Sequence, residues 1–409
     1  MKMKKNNLLI LAVAALGFAA CANDETTAVN EKLAESNEIS FRALNNGLMR
    51  GADEHFNVAN DQFAVTAFRK DQTTSPYFDN VTFKTTDGTT FTSEDGKYYW
   101  PSSTNLDFYA YAPLNSENTG VARSAYNSFT VTPGTTVASQ PDFVYAVTRN
   151  WGRATTDQTT GHVIPTVTGV TINFRHAESK IAFKLGNNNK NLKITVGDVS
   201  IGNLRGSETF TWNGVTDGTT PVEASSANTD GKYTTGTLTY LNGTWTASSV
   251  QTSAYTVTME STESYNIFNG TVTAKNLYSA SASAPNFDMI LIPQALKIET
   301  TYNGTSVAST FEGAYITVQI KIQNKETGDY IVGDGSNYVT AMWPLTALTW
   351  LPGHKYTYTI DLAGGGYYTT NQDDSSDLDP ILEGAEIKFV TVTVDDWKDE
   401  TGNVYVEGL

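Results

Sequence analysis

The sequence has a single cysteine, Cys21, which excludes an intrachain disulfide and leaves stability to packed cores. Its four histidines, His55, His162, His176 and His354, are scattered, none at the spacing of a zinc pair and none with a cysteine to serve beside it, so metal catalysis is not indicated. No G-x-S-x-G elbow, Walker motif or paired-carboxylate signature occurs, and Gly364-Gly365-Gly366 lies between strands rather than opening a helix, which argues against a phosphate cradle. The chain is therefore not expected to be an enzyme, and no cofactor is called for. Basic residues are also scarce: 27 Lys and Arg stand against 43 Asp and Glu, a net charge of −16 that repels nucleic acid and anionic lipid. No segment longer than about ten residues keeps a 3.6-residue apolar spacing, which removes long amphipathic helices. Only one long apolar run exists, Leu8–Phe18, and it is too short to span a bilayer.

That run carries an address. Lys2, Lys4 and Lys5 precede it and the small pair Ala19-Ala20 follows, the pattern of an export signal over residues 1–20. The position of Cys21 directly after those two small residues resembles the lipobox of bacterial lipoproteins, in which the thiol receives diacylglyceride and becomes the new N-terminus. Phe18 stands where Leu or Val is usual, and the rival reading is cleavage by ordinary signal peptidase with Cys21 left as a free thiol. Asn23-Asp24-Glu25 resembles the acidic signal that carries Bacteroidetes lipoproteins to the outer face of the outer membrane. Removing the three signal lysines takes the net charge from −16 to −19. Residues 21–37 are polar, acidic and without sheet periodicity, and read as a lipidated flexible tether.

From Glu38 onward the grammar is that of β-sheet. Ile39, Phe41 and Ala43 alternate on one face of a first strand, and a turn-rich loop, Asn45-Asn46-Gly47, leads to Met49-Arg50-Gly51. Phe63, Val65 and Ala67, then Val81 and Phe83, repeat the alternation, with Asp87-Gly88 as a turn. Two aromatic strands follow, Lys97-Tyr-Tyr-Trp-Pro101 and Leu106–Pro113, each stopped by proline and each expected in the core. In residues 170–185 the alternation of Val170, Ile172 and Phe174 restarts at Ile181, Phe183 and Leu185, which places a domain boundary near Ala177. His176, between Arg175 and Glu178 at that joint, is expected to have a structural hydrogen-bonding role. Further strands are expected at 192–199, 209–212, 238–245, 255–259, 287–292, 315–322 and 385–394. Asn213-Gly214, Asp217-Gly218, Asp230-Gly231, Asn242-Gly243 and Asn303-Gly304 supply hairpin turns. Asp373, Asp374, Asp377 and Asp379 lack the glycine-centred loop of a known calcium site and read as a solvated loop. The chain is all-β, with a sandwich domain over 38–177 and another over 178–409.

In order along the chain, KYYWP with LDFYAYAP, INFRHAESKIAFKL, FDMILIPQAL, LPGHKYTYTIDL and VTVDDW resemble the fimbrillin family of Bacteroidetes, pilin-like surface lipoproteins. The resemblance spans residues 97–397 behind the lipobox. It implies two tandem transthyretin-like β-sandwich domains and a fimbrial subunit exported as a lipidated precursor to the outer-membrane surface, then built into an extracellular fimbria that serves adhesion or biofilm. Arg50 matches the place where family members are cut by an arginine- or trypsin-type protease, with Arg42, inside the strand, the weaker candidate. The partners implied are other copies of the chain or related fimbrial subunits, that protease, and the lipid anchor before cleavage.

Removing the first strand leaves unpaired backbone and apolar pockets, an acceptor for a partner strand, with Ile39 and Phe41 as the plug. The donor expected is Ala385–Val394, with Ile387 and Phe389 on one face and Val390, Val392 and Val394 on the other. A cleavable strand together with a usable donor favours a stalk position. The alternative is a monomeric, permanently anchored surface lipoprotein that binds glycans or host ligands through coplanar exposed aromatics.

Overall fold

Alternation decides most of the architecture, but several strands are buried on both faces, and that requires a layer on each side of their sheet. Gln62–Arg69 is one of these: Phe63, Val65 and Ala67 enter one apolar cluster while Ala64 enters another. The computed structural model describes residues 38–43, 56, 58–114, 120–152, 169–172, 174–212, 222–223, 237–240, 243–246, 252–257, 267–269, 274–276, 288–296, 313–345, 348–363, 367–369, 378–380 and 391–396. Among these the fold is all-β, with one short 3-10 turn at Val137–Ser139 and four sheets.

The first sheet has eight strands in the spatial order Arg175–His176, Val144–Trp151, Leu106–Ala112, Gln62–Arg69, Gln72–Thr85, Phe91–Ser93, Phe41–Ala43 and Val170–Ile172. It curls, because Val144–Trp151 near one end lies against Val170–Ile172 at the other. The concave face closes over a cluster that includes Phe41, Phe63, Phe83, Phe91, Phe108 and Val170. Its outer face, through Ala64, Tyr111 and Tyr145, packs on Phe129, Val131, Phe210 and Trp245 of a six-stranded sheet. The other two sheets, of five and eight strands, enclose a third cluster containing Ile181, Phe183, Ile194, Ile320, Trp350 and Tyr358.

At Ala177 the chain leaves the first sheet, after Arg175–His176, and enters the five-stranded sheet with Ser179–Gly186. The six-stranded sheet, however, is assembled from both sides of that point. Val121–Ala125 and Ser128–Val131 come from before it, while Glu208–Trp212, Val222–Glu223, Thr237–Tyr240 and Gly243–Thr246 come from after it. The joining register is Ser128–Val131 against Glu208–Trp212, with Phe129 opposite Phe210.

The stretch Lys97–Pro101 is not the regular strand its aromatics predict. It forms a single isolated bridge, Glu38 with Tyr99, while Tyr98 and Trp100 lean on the first cluster and Tyr99 is 42% exposed. Proline at 101 removes a donor where a ladder would continue. The Leu238–Trp245 stretch is a hairpin rather than one strand: Thr237–Tyr240 pairs antiparallel with Gly243–Thr246, and at Gly243 a Cβ would stand 2.3 Å from the Phe210 ring.

A strand seat in the curled sheet

The strand Phe41–Ala43 occupies the seat that the sequence singles out. Its alternation sends Ile39 (1% exposed) and Phe41 (0%) inward, together with Ala43, and leaves Arg42 exposed. The strand is held on both edges. Phe41 is in antiparallel register with Phe91, while Phe41, Arg42 and Ala43 run parallel to Val170, Thr171 and Ile172. The Ile39 amide donates to the Tyr98 carbonyl at 2.7 Å, and the Val170 amide donates to the Ser40 carbonyl at 2.8 Å. Outside the strand proper, the Glu38 carboxylate meets Lys97 Nζ at 2.8 Å.

Three aromatic rings surround Phe41, each presenting an edge: Phe83 with centroids 4.6 Å apart, Phe108 at 5.1 Å and Phe63 at 6.1 Å. Edge-to-face packing of this kind favours a flat ring over an aliphatic side chain. The Asp87-Gly88 turn sets one wall. The Asp87 carboxylate accepts from the amides of Thr89 and Thr90 at 2.8 and 2.9 Å and from the Thr85 hydroxyl at 2.9 Å, which holds the acid well below the usual carboxylate range. With Gly88 at φ +75, the chain reverses and brings Phe91 beside Phe41. Gly169 sets the opposite wall: at φ +82 its missing Cβ would stand 2.9 Å from the backbone N and C of Phe41. The alternation of residues 38–43 gave no hint of Gly169 or Lys97. An isolated glycine before a strand, as a mark of close backbone approach, was the available signal for the first.

Cys21, Arg50, Ile387, Phe389 and Val390 lie outside the described residues, and Arg42 sits inside the paired strand. Val392 and Val394 fall on Thr391–Asp396, the outermost strand of the five-stranded sheet, opposite Tyr358 and Tyr356 of His354–Asp361. Val392 packs against the third cluster, whereas Val394 is 47% exposed.

A buried polar joint ties the sheets together near Ala177. His176 Nδ1 lies 2.7 Å from Asp142 Oδ1, and the Phe143 amide donates to Glu178 Oε2 at 2.8 Å. Trp245 Nε1 donates to the Ala177 carbonyl, and the Gly353 amide donates to that of Glu178. The other Glu178 oxygen is buried without a hydrogen-bond partner. Burial therefore pushes this carboxyl well above its ordinary range, with the neighbouring Asp142 adding to the effect. Burial also raises Glu208, to about 7, against the opposing pull of Arg205.

Among the described residues no group of three or more His, Cys, Asp or Glu is placed to hold a metal ion, and no helix is long and apolar enough to cross a membrane. Their geometry instead builds a short strand held between two partners.

No curated protein sequence matches the chain. Among solved structures, it is similar to a fimbrial protein from Bacteroides vulgatus, at 14% identity over 88% of this chain and 100% of that one, TM-score 0.42. It is similar to a fimbrilin from Porphyromonas gingivalis, at 11% identity over 88% and 98%, TM-score 0.36. The tip fimbrial protein Mfa3 from the same organism, with a C-terminal truncation, is similar at 9% identity over 88% and 100%, TM-score 0.36. The family described as fimbrillin-like matches residues 42–397, nearly the whole of the sheet-forming chain, and the protein belongs to that family.

Proposed function

We propose that the chain is a fimbrial subunit exported as a precursor lipidated at Cys21, cut after Arg50 by an arginine- or trypsin-type protease, and polymerised by donor-strand exchange. Membership in a fimbrillin-like family implies a pilin-like structural role, a cell-surface location and assembly with other fimbrial subunits. The observation that carries the finer reading is the seat of Phe41–Ala43. In the described sheet this strand is the only partner of Val170–Ile172 and also pairs with Phe91. Its removal opens two backbone edges about 10 Å apart, twice the interstrand spacing, with a ring-lined pocket between them. A partner strand from the Ala385–Val394 region refills the gap, and the fimbria serves adhesion or biofilm. In this reading Ile39 and Phe41 keep the lipid-anchored precursor closed, and one cut releases plug, tether and anchor together. The two expected units, 38–177 and 178–409, travel as one subunit, since the six-stranded sheet joins strands from both.

Trypsin treatment of purified precursor tests this. A product beginning at Gly51 that forms SDS-resistant ladders is expected, and Arg50→Ala blocks the conversion. A Gly51 product that stays monomeric sinks strand exchange, and polymerisation of Arg50→Ala at the unchanged rate moves the cleaved bond elsewhere.

A further inference from the structure

When the plug leaves, the rings that stay behind decide what becomes of the empty seat. Phe41 runs antiparallel to Phe91 and parallel to Val170, so the strands Phe91–Ser93 and Val170–Ile172 are antiparallel to each other. With nothing between them they are matched for a direct ladder, and closing the sheet would pair both backbone edges and bury the vacated pocket. A sheet closed in this way has no seat left. One aromatic side chain stands against that closure. Phe56 is 3% exposed and belongs to no strand among the described residues. Its ring stacks on Phe174, two residues past Ile172, with centroids 4.3 Å apart. It meets Phe91, at the head of the facing strand, edge-on at 6.3 Å, and Phe63 backs it at 5.4 Å from the strand Gln62–Arg69.

We propose that Phe56 braces the seat: it is a positioning residue that stays with the subunit after the cut and keeps the two edges apart until a strand enters. This rests on the strand-exchange reading and adds what holds the acceptor open, whichever strand fills it. Phe56 lies past Arg50, on the retained side of the cut, whereas Ile39 and Phe41 leave with the plug. Closure would bring the two strands together by one interstrand spacing, about 4.8 Å. That movement drives Phe91 and Phe174 into a ring already stacked on one of them and in edge contact with the other, and overpacking of a filled site opposes it. Phe63 touches both rings too, at 4.8 and 5.1 Å, but it loses the edge contact of Phe41 when the plug leaves. The contacts of Phe56 with Phe63, Phe91 and Phe174 involve no residue of the plug and all survive the cut.

Tryptic cutting of the intact precursor carrying Phe56→Ala tests this, with Phe56→Leu, which restores most of the bulk, as the rescue. Where Phe56→Ala gives no cooperatively folded precursor, Phe56→Val takes its place. The cut Phe56→Ala subunit should form SDS-resistant ladders at least about tenfold more slowly than the parent, the factor expected when the open seat is populated one part in ten. Phe56→Leu should recover most of the rate. Hydrogen exchange on the cut subunits, kept monomeric by dilution, separates a brace from an ordinary core side chain. The parent should exchange freely at 91–93 and 170–172, whereas Phe56→Ala should be protected there because the two strands have paired with each other. Loss of a core side chain with no bracing role would leave these amides less protected, never more. Equal or lower protection in Phe56→Ala, or ladders at the parental rate, overturns the brace while strand exchange stands. A parental cut subunit that never polymerises overturns the underlying reading instead.

Discussion

At the scale of single residues, Phe41 and Gly169 fix the seat from opposite sides. Truncating Phe41 to alanine in the uncut precursor removes a fully buried ring from three edge contacts, and is expected to cost about 3–5 kcal/mol by urea denaturation. Gly169→Ala places a Cβ against backbone rather than against a side chain that can rotate away, at a φ of +82 that L residues rarely adopt. A loss on the order of 1–3 kcal/mol is expected in the same assay. Lys97→Ala serves as the contrast: its ion pair is 61% exposed on the lysine side, so a loss of no more than about 1 kcal/mol is expected. The buried carboxyls set the pH dependence. Glu178 and Glu208 both have folded pKa values above the 4.5 of an ordinary glutamate, so each favours folding while protonated. Their contribution is complete below pH 4.5 and is lost as pH rises, through about 7 for Glu208 and across the raised range of Glu178. Glu178→Gln keeps an acceptor for the Phe143 amide without an ionisable group. Its urea midpoint should gain on the parent progressively from pH 5 to pH 8. A constant offset across that range would show that the group does not ionise differently in the two states.

At the scale of elements, removing Phe41–Ala43 should loosen Val170–Ile172 first, because no other strand pairs with it in the described sheet. Hydrogen exchange on the cut subunit, kept monomeric by dilution, should lose protection at 170–172 and 91–93, while Gln62–Arg69 and Leu106–Ala112 stay protected by each other. Equal protection before and after cutting would mean that the strand is not structural. The inward pair Ile39 and Phe41 was legible because a period of two needs only neighbouring residues. Its partners were not, since parallel pairing with Val170–Ile172 joins residues far apart in sequence and nothing in either stretch names the other. The six-stranded sheet shows the same limit more sharply: residues 209–212 read as a short strand, but nothing in the sequence singles out Ser128–Val131 as its partner, and their pairing across Ala177 is set by Phe129, Phe210 and Trp245 meeting in one cluster. Lys97–Trp100 misled for a different reason. Its aromatics carry the composition of a strand, yet they are satisfied by leaning on the first cluster with a single bridge to Glu38.

At the scale of the whole molecule, charge sets the kinetics of assembly. Residues 1–50 contain six basic and five acidic side chains, so cutting after Arg50 leaves a subunit of net charge −17 against −16 for the whole chain. Two such subunits repel as they approach, and the repulsion is screened over a Debye length that falls from about 30 Å at 0.01 M salt to about 8 Å at 0.15 M. A local attraction that opposes it, of the kind one exposed ion pair at the rim of the seat supplies, is worth at most about 1 kcal/mol and is screened by the same ions. Long-range repulsion between two bodies of this charge exceeds one exposed contact, so the sign of the salt effect is fixed by the net charge. Ladder formation by the cut subunit, followed on boiled gels over time, should therefore accelerate several-fold between about 10 mM and 150 mM sodium chloride. The apolar seat itself is insensitive to salt in this range, so the extent of polymer at the end point should change far less than the rate. A rate that falls as salt rises would mean that local charge steering governs the encounter, with the donor segment meeting its groove through ion pairs before its apolar side chains are buried.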